Sequence, residues 1–575
     1  MPSASAEGTP PVGGALADGV PRADGAGRWD RLRRSAPAER PARLDGPHRF
    51  AAVDLGASSG RVIVVEIGRP AGAFELQEVH RFPNQPVSRD GCLRWDFEGI
   101  WANVLEGLRR AAATGPVESV GIDTWGADYG LLDAEGNLLG APICYRDART
   151  EGVAKGVWAK IGRRRLYELT GAQYQRFNTV FQLAAEPDER LARAAKLLMM
   201  PDLLAYRLTG RAVAEATAAS TTGLFDVRRR DWCWEAIDAL GLDPGLFPEV
   251  FEPGDGTGQL TPEAQAATGL GPQTLVVAVG GHDTASAVAA VPAKGADFAY
   301  ISSGTWSLVG VETAAPVLSQ ASQEANFTNE LGVFGRVCHL KNVMGLWLLS
   351  ECQRTWEAEG LNLSLPELLA AAAEAPERGL IAADSGQFLA PGDMPGRIAR
   401  AAAATGGEAP RSPAETVRCI IDSLAAAYAQ AVKLASVLSG QAVNRIHIVG
   451  GGSLNALLCQ ATADSTGLPV LAGPVEASVI GNALIQAHAA GVLPGRAGPR
   501  SPARRDSGEG ADRDNAARPS GFGSPSGAGG DLEALRALVA ERFPLTAYTP
   551  RERARPGAPA AHAGPEPVPQ FHITP

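Results

Sequence analysis

The sequence predicts an α/β protein whose two domains enclose a cleft, and two observations lead to this prediction. The body of the chain, from about Phe50 to about Gly491, is longer than one hydrophobic core usually serves. A β-strand, a turn of small residues and a second β-strand occur near its start, over 50–67, and again over 298–312. This repetition indicates a duplicated architecture, with the boundary between its halves near residues 292–297.

A third observation predicts disorder outside this body. The chain of 575 residues has 67 glycines and 42 prolines, and about a third of them lie in residues 1–47, 491–530 and 550–575. Segments of this composition bury too little apolar surface to offset the entropy that ordering costs. We therefore expect a disordered N-terminal extension, a disordered insertion and a disordered C-terminal tail.

The elements of the body follow from local patterns. Apolar residues recur at spacings of three and four over 97–113, which predicts an amphipathic helix, and a strand follows at 119–123. A short apolar strand at 275–279 ends in glycines. In the second half, a long helix over 414–438 leads into a strand at 445–449.

Charge and composition exclude several classes of protein. The net charge of -10 argues against a nucleic-acid-binding surface. The 7 cysteines have no C-x-x-C spacing, so we expect neither a zinc site nor a disulfide framework. No apolar run approaches the ~18 residues of a membrane span, and the N-terminus lacks the apolar core of a signal peptide. We expect a cytoplasmic protein with no nucleic-acid or membrane partner.

The first turn of small residues, Gly56 to Arg61, has the composition of an anion-binding nest. Small side chains let backbone N–H groups approach an oxyanion, and Arg61 adds positive charge. Asp54 precedes the turn and could hold Mg²⁺ through water, because hard oxygen ligands suit this ion. An ordinary hairpin turn is the alternative, although a second such turn, Ser302 to Thr305, makes coincidence less plausible.

Three glycines at 450–452 join a predicted strand to a helix, a pattern that is typical of nucleotide sites. Close packing between the two elements is the alternative. The dinucleotide fingerprint does not fit, because Asn455 stands where that pattern has its third glycine, and the chain has no Walker A loop. A nucleotide site here would therefore be of another type.

Other polar groups fall at predicted strand ends. Asp283 precedes a helix that opens near Thr284, where it could accept a proton from a hydroxyl group or simply cap the helix. His282 is a hydrogen-bonding neighbour or a structural histidine. Trp125 and Asn342 suit a sugar site and a protein core equally well.

Taken in this order, the motifs resemble those of the FGGY family of carbohydrate kinases. The matching stretches are 53–61, 121–126, 282–288, 302–308, 341–349, 447–452 and 473–478. The resemblance implies two actin-like, ribonuclease-H-like domains that close on a catalytic cleft. It divides the chain into a disordered extension (1–47), a domain for sugar and phosphate (48–292), a domain for the nucleotide (293–491), a disordered insertion (492–530), a closing segment (531–550) and a disordered tail (551–575).

The resemblance also implies an activity: transfer of the γ-phosphoryl group of ATP, with Mg²⁺, to the 1-hydroxyl of L-rhamnulose in L-rhamnose breakdown. The products would be L-rhamnulose 1-phosphate and ADP. Asp283 would be the proton acceptor, and the sugar would lie against Gly126, His282, Asp283, Thr284 and Asn342. The ATP site would comprise Ala57, Ser58, Ser59, Gly60, Arg61, Thr305 and Gly451.

Three other functions are alternatives: a kinase of another ketose or polyol, a non-catalytic relative that binds sugar or nucleotide, and, more distantly, a dehydrogenase. Retention of Asp54, Asp283 and both turns argues against a non-catalytic relative. One position departs from the family's pattern. Where members tend to carry Gln as an ATP contact, this chain has the shorter Ser350, which we leave outside the predicted site.

Overall fold

The computed structural model describes residues 47–68, 74–493 and 528–551. The β-strands in this part of the chain are β1 (His48–Leu55), β2 (Ser59–Ile67), β3 (Phe74–Pro83), β4 (Pro86–Arg89), β5 (Cys92–Trp95), β6 (Ser119–Thr124), β7 (Tyr129–Leu132), β8 (Lys196–Met199), β9 (Ala214–Glu215), β10 (Phe225–Asp226), β11 (Asp231–Trp232), β12 (Val250–Phe251), β13 (Gly256–Gln259), β14 (Leu275–Val277), β15 (Phe298–Ser303), β16 (Trp306–Thr313), β17 (Thr328–Leu331), β18 (Val337–Met344), β19 (Arg445–Val449), β20 (Val470–Ala472) and β21 (Thr546–Tyr548).

The α-helices in the same residues connect and cover these strands. They are α1 (Phe97–Ala113), α2 (Ala154–Ile161), α3 (Arg163–Thr170), α4 (Thr179–Ala184), α5 (Asp188–Arg193), α6 (Met200–Thr209), α7 (Ala216–Ser220), α8 (Trp234–Leu240), α9 (Pro262–Thr268), α10 (Asp283–Ala289), α11 (Gln320–Glu324), α12 (Trp347–Ala358), α13 (Leu365–Glu374), α14 (Met394–Ala404), α15 (Pro413–Ser439), α16 (Ala456–Thr466), α17 (Ala477–Ala489) and α18 (Ala528–Arg542).

The N-terminal sheet has the strand order β13-β14-β6-β1-β2-β3. β1 and β2 form the predicted antiparallel hairpin, while β6 runs parallel to β1 and β14 parallel to β6. β1 is buried along almost its whole length, as expected of an apolar strand in the middle of a covered sheet. The carboxyl ends of β1 and β6 therefore meet at one edge of the sheet.

The C-terminal sheet has the order β17-β18-β16-β15-β19-β20-β21. Its central strands repeat the N-terminal pattern: β15 and β16 form an antiparallel hairpin, and β19 and then β20 add in parallel on the other side. The strand series β18-β16-β15-β19-β20 thus corresponds to β3-β2-β1-β6-β14. The duplicated two-domain α/β architecture predicted from the sequence is confirmed.

The two sheets are joined by close contact between α10 and α17. A Cβ atom added to Gly481 on α17 would lie only 1.8 Å from the carbonyl oxygen of Ser286 on α10. Next to this crossing, Asn482 of α17 donates a hydrogen bond to Asp123 of β6 at 2.6 Å, and Gln486 accepts one from Ser119 at 2.7 Å. A helix of the C-terminal half therefore packs directly on the N-terminal sheet.

Observed element boundaries agree closely with the predicted ones. α1 and β19 have the predicted limits, and α15 extends one residue further at each end. β14 ends at Val277, two residues earlier than predicted, and the N–H of the next residue, Ala278, donates to the carbonyl oxygen of Asp255 at 2.9 Å, directly before β13.

The segments predicted to be disordered lie almost wholly outside the described residues. Two of the predicted limits of the insertion are wrong. Leu493 is only 4% exposed and packs in the core of the two sheets, and α18 begins at Ala528, before the predicted end of the insertion at residue 530. The domain boundary near residue 292 stays a prediction.

One helix in the described part of the chain, α15, is long and apolar enough to cross a membrane by length and composition alone. Half of its most apolar window is buried inside the protein. Ile420, Leu424 and Tyr428 on this helix are 0% exposed and belong to the largest hydrophobic core. We therefore assign α15 to the core.

Candidate active site

A cavity of about 340 Å³ opens where both pairs of hairpin strands turn. Its walls come from both halves of the chain. The sequence-predicted residues that line it are Asp54, Ala57, Ser58, Ser59, Arg61, Gly126, His282, Asp283, Thr284, Thr305, Asn342 and Gly451. Folding thus gathers almost the whole predicted set around one space.

Gly60 is the predicted residue that does not line the cavity. It is buried, and a Cβ atom there would lie 2.4 Å from the ring of Phe82 on β3. The need for glycine at this position therefore comes from packing of β2 against β3. Ser350 also lies outside the cavity lining and is exposed on α12.

Three carboxylates approach one another at the carboxyl ends of the parallel strands. The register of β1 and β6 places Asp54 beside Asp123, and a parallel bridge joins Thr124 to His282, next to Asp283. Burial first, and then the nearby Asp54 carboxylate, raise the pKa of Asp123 well above its ordinary value. Such strand ends are where open α/β sheets bind their ligands.

Asp54 and Arg61 form an ion pair that the hairpin register creates. They face each other across β1 and β2, with Arg61 Nη2 2.7 Å from Asp54 Oδ2. Arg61 also contacts Glu476, while Ser478 donates to Asp54 Oδ2 at 2.7 Å. The sequence predicted that Arg61 adds fixed positive charge to the turn, whereas its guanidinium is paired here with two carboxylates, Asp54 and Glu476.

The two small-residue turns face each other across the cavity. Ser58 in the first turn and Thr305 in the second are within hydrogen-bonding distance, with 3.3 Å between their hydroxyl oxygens. The tip of the second turn is open, because a Cβ atom on Gly304 would meet its nearest neighbour only at 3.9 Å. Hydroxyl and backbone groups from both halves of the chain thus border the same space.

The three glycines after β19 have different roles. Gly450 has a φ of +82°, and a Cβ atom on Gly452 would lie 2.0 Å from Ser303 Oγ, so these two glycines permit close packing on β15. A Cβ atom on Gly451 would meet none of the described residues within 4 Å, and this glycine lines the cavity. Asn455, which excluded the dinucleotide pattern, caps α16 by accepting a hydrogen bond from the N–H of Leu458 at 3.0 Å.

Asp283 is the first residue of α10, and the helix N-cap is His282. The interpretation of Asp283 as an N-cap is therefore wrong. Its side chain is 32% exposed, and Thr284 donates a hydrogen bond to it at 3.1 Å. Loss of hydration on burial raises the pKa of Asp283 to about 6, the neighbouring His282 opposes this shift, and the Asp54 carboxylate adds to it.

Glu215 holds the turn that leads to Asp283. Its carboxylate accepts hydrogen bonds from the N–H of Gly281 at 3.0 Å and from the hydroxyl of Thr217 at 2.6 Å. The Thr217 hydroxyl in turn accepts from the N–H of His282 at 3.2 Å. The backbone before Asp283 is thus fixed by a buried network that begins at α7.

His282 forms an ion pair with Glu330 on β17, which sequence analysis missed. His282 Nδ1 lies 3.0 Å from Glu330 Oε2, and the other ring nitrogen, Nε2, lies 3.6 Å from Asp283 Oδ1. Burial alone would lower the pKa of His282, but Glu330, Asp283 and Glu215 together raise it to about 9. The imidazole is therefore positively charged at neutral pH.

Asn342 on β18 is oriented by Gln173, a residue from the N-terminal half. Gln173 Oε1 accepts hydrogen bonds from the backbone N–H of Asn342 at 3.0 Å and from its side-chain Nδ2 at 3.2 Å. Gln173 is 3% exposed and also lines the cavity. Its role has no signal in the sequence, because it lies in a loop without a recognisable motif.

Aromatic side chains form one wall of the cavity. Tyr145, Phe177 and Trp306 form a cluster with ring centroids 5.2 to 6.3 Å apart, and Trp306 Nε1 donates to the Tyr145 hydroxyl at 3.1 Å. Of these three residues, only Trp306 lies in a stretch that resembles the family, 302–308. Trp125, also on the wall, donates its indole N–H to the buried Asp128 at 3.0 Å.

The carboxylates of the cavity do not form a complete metal cage. In the described residues, no group of three or more His, Cys, Asp or Glu side chains is arranged to hold a metal ion. Asp54 lines the cavity and supplies hard oxygen atoms of the kind that Mg²⁺ prefers, whereas Asp123 beside it is fully buried and does not line the cavity. This donor set fits an ion that keeps much of its water and binds substrate phosphate.

Comparisons with known proteins identify the family. Residues 50–290 match the N-terminal domain model of the FGGY family of carbohydrate kinases, and residues 299–490 match the C-terminal domain model. A rhamnulokinase from Bacteroides thetaiotaomicron is 44% identical over 456 residues, which cover 78% of this chain and 93% of the relative. A rhamnulokinase from Enterococcus faecalis is 42% identical, over 77% of this chain and 90% of the relative.

Solved structures share the fold at low sequence identity. A gluconate kinase from Lactobacillus acidophilus superposes with a TM-score of 0.64 at 15% identity, over 78% of this chain and 90% of that one. Plasmodium falciparum glycerol kinase with ADP gives a TM-score of 0.61 at 14% identity, over 77% of this chain and 89% of that one. The chain belongs to the FGGY family of carbohydrate kinases.

Proposed function

We propose that this kinase transfers the γ-phosphoryl group of ATP to the 1-hydroxyl of L-rhamnulose, giving L-rhamnulose 1-phosphate and ADP in L-rhamnose catabolism. The substrate follows from rhamnulokinases that are 39% to 44% identical to this chain. The observation that carries the chemistry is the position of Asp283, partly exposed in a cavity between two turns rich in small residues.

Asp283 acts as the general base in this proposal. With a pKa of about 6, its carboxylate is ionised at neutral pH and still basic enough to accept a proton as a hydroxyl group attacks phosphorus. The carboxylate is reachable from the cavity, because the Asp283 side chain is 32% exposed and lines it. The hydroxyl that loses its proton is the 1-hydroxyl of the sugar.

The ATP phosphates bind between the two turns, against Ala57, Ser58, Ser59 and Thr305, with Gly451 at the nucleotide side. Phosphoryl transfer depends mainly on positioning and on stabilising negative charge. Hydroxyl and backbone N–H groups from both halves of the chain are suited to that task. Arg61 serves chiefly to orient Asp54, because their ion pair occupies its guanidinium.

Mg²⁺ accompanies ATP, and Asp54 is the residue that would hold it, through water. When bound, the ion neutralises charge on the phosphate oxygens. The Ser478 and Arg61 contacts keep the Asp54 carboxylate in place beside Asp123. Ser478 lies outside both turns, so its contact supports the role of Asp54 independently of the turn residues.

The sugar lies against Gly126, Asn342 and the aromatic wall. The backbone N–H and one Nδ2–H of Asn342 point to Gln173, so its Oδ1 and its second Nδ2–H are left to hydrogen-bond the hydroxyl groups of a sugar. Tyr145 and Trp306 offer flat apolar faces of the kind that pack against the C–H face of a sugar. We further propose a cytoplasmic enzyme with no nucleic-acid or membrane partner.

A substrate panel tests the proposal. Purified protein with ATP and Mg²⁺ is offered L-rhamnulose, L-xylulose, other ketoses and glycerol, and ADP release is measured. We expect the highest kcat/KM with L-rhamnulose. Efficient turnover of L-xylulose or glycerol without turnover of L-rhamnulose would exclude the proposed substrate, and no turnover of any compound would favour a non-catalytic relative.

A further inference from the structure

We propose that Glu330 is a positioning residue for the reaction: it holds the His282 imidazole between itself and Asp283, and thereby keeps the base ionised. This inference rests on the proposed role of Asp283 as the general base. Neither family resemblance nor sequence pattern pointed to Glu330. The inference depends on how the two halves of the chain meet.

The geometry is that of a row of three side chains. Glu330 Oε2 contacts one ring nitrogen of His282 at 3.0 Å, and the other ring nitrogen faces Asp283 Oδ1 at 3.6 Å. Glu330 is 6% exposed and His282 7% exposed, so the protein largely screens this pair from water. A buried ion pair restricts the rotation of the ring, which orients Nε2 toward the base.

The charges that surround the row all favour a cationic imidazole. His282 faces the carboxylates of Glu330 from β17, Asp283 from α10 and Glu215 at the start of α7. The cation of His282 lowers the pKa of Asp283 and the carboxylate of Asp54 from β1 raises it, while Asp283 in turn raises the pKa of Asp123 on β6. His282 is therefore the cation that opposes protonation of Asp283.

The pair also spans the two sheets. Glu330 lies on β17 of the C-terminal sheet, whereas His282 forms a bridge with Thr124 of the N-terminal sheet. The two partners consequently stay in contact only when the sheets have the relative position seen here. Alignment of the base is thus coupled to the fit between the two halves of the enzyme.

The decisive experiment compares the pH dependence of kcat in the parent enzyme, Glu330→Gln and Glu330→Asp. Gln preserves size but removes the charge, so the pKa of His282 should fall and its positive charge should oppose protonation of Asp283 less. The acid limb of the profile is the rise of kcat with increasing pH. We expect its midpoint to shift to a pH about one unit higher in Glu330→Gln, so that kcat at pH values below the midpoint falls about tenfold. Above pH 9 the kcat values of the parent enzyme and of Glu330→Gln should become equal.

Glu330→Asp keeps the charge on a shorter side chain, so its acid limb should stay close to that of the parent. The control is Glu312→Gln, which removes another buried carboxylate of the same sheet, the one that contacts Arg536 at 2.6 Å. Its thermal midpoint should fall while its kcat profile keeps the parent's acid limb. An unchanged acid limb in Glu330→Gln, or an equal shift in the control, would overturn the inference.

A measurement without substrate separates this inference from the proposed function. NMR titration of the imidazole resonances, with His282 assigned from a His282→Gln variant, reports the pKa of His282 directly. It should be lower in Glu330→Gln than in the parent enzyme, and an unchanged value would contradict the inference. If the enzyme prefers another ketose, the kcat profiles are measured with that ketose, so an error in the substrate leaves the test intact.

Discussion

Ser58 Oγ lies 3.3 Å from Thr305 Oγ1, although 247 residues of chain separate them. The two hydroxyls belong to equivalent turns in the two halves of a duplicated fold. Phosphate groups that enter between the turns would exchange this contact for contacts of their own. We therefore propose that both halves of the chain contact one ligand at this pair.

Ser58→Ala and Thr305→Ala should each weaken the use of ATP. A hydrogen bond to a charged group contributes about 1.5–3 kcal/mol, so kcat/KM for ATP should fall about tenfold or more in each variant, with little change in KM for the sugar. Steady-state kinetics with each substrate varied in turn checks this. Ser88→Ala, an exposed hydroxyl on β4, is the control, and equal effects in all three variants would refute the phosphate assignment.

Asp283→Asn should lower kcat by at least ~10²-fold, because an amide cannot accept the proton of the attacking hydroxyl. Circular dichroism should show an intact fold. In the parent enzyme, a base with a pKa of about 6 makes kcat rise as the pH increases through 6. Asp188→Asn, on the exposed face of α5, should behave like the parent, and normal turnover by Asp283→Asn would refute the general-base role.

Gly451→Ala and Gly452→Ala should impair different properties, the first the binding of ATP and the second the stability of the fold. A methyl group at Gly452 meets Ser303 Oγ, so this variant should lose about 1–3 kcal/mol of unfolding free energy. A methyl group at Gly451 has open space but projects toward the cavity, so stability should persist while KM for ATP rises. Denaturant unfolding and ATP kinetics distinguish the two, and the reverse pattern would show that the roles are exchanged.

The His282–Glu330 pair should make folding stability depend on pH. The folded-state pKa of His282, about 9, lies above its ordinary value of 6.5. The stabilisation is therefore fully present below pH 6.5 and is lost as the pH rises through 9. Between pH 6 and 9.5, the parent should lose on the order of 3 kcal/mol more unfolding free energy than His282→Gln. Equal losses in urea titrations of both proteins would contradict this expectation.

Deletion of residues 1–47 should leave kcat, both KM values and the thermal midpoint nearly unchanged. The first strand begins at His48, directly after the deleted segment. The glycine- and proline-rich composition of that segment predicts no contribution to the core. A fall of the thermal midpoint by several degrees would show that the segment packs on the body of the protein.

Much of the site could be predicted because it is local in sequence. The register of a tight hairpin follows from its turn, and this places Arg61 opposite Asp54 without help from the rest of the fold. Glycines at the end of β19 indicate that another segment of the protein or a ligand packs closely against the backbone there, whichever it is. The sequence left the role of each glycine ambiguous. The structure distinguishes them, because Gly452 packs on Ser303 and Gly451 does not.

Partners from distant segments could not be predicted in this way. Glu330, Gln173 and Tyr145 reach the cavity from separate segments of the chain, and none of them belongs to a motif. Their importance depends on which side chain lies opposite, such as His282 for Glu330 or Asn342 for Gln173. A single sequence contains no periodicity or spacing that reports such long-range pairs.

The sequence by itself determined the duplicated α/β fold, the two turns of small residues, the position of Asp283 at the start of a helix and the family resemblance, because short-range patterns and motifs specify these features. Tertiary structure alone decided the electrostatic state of the site. The pKa of a carboxylate or an imidazole depends on burial and on charges within a few ångströms, and at Asp283 and His282 those charges come from four different elements of the fold.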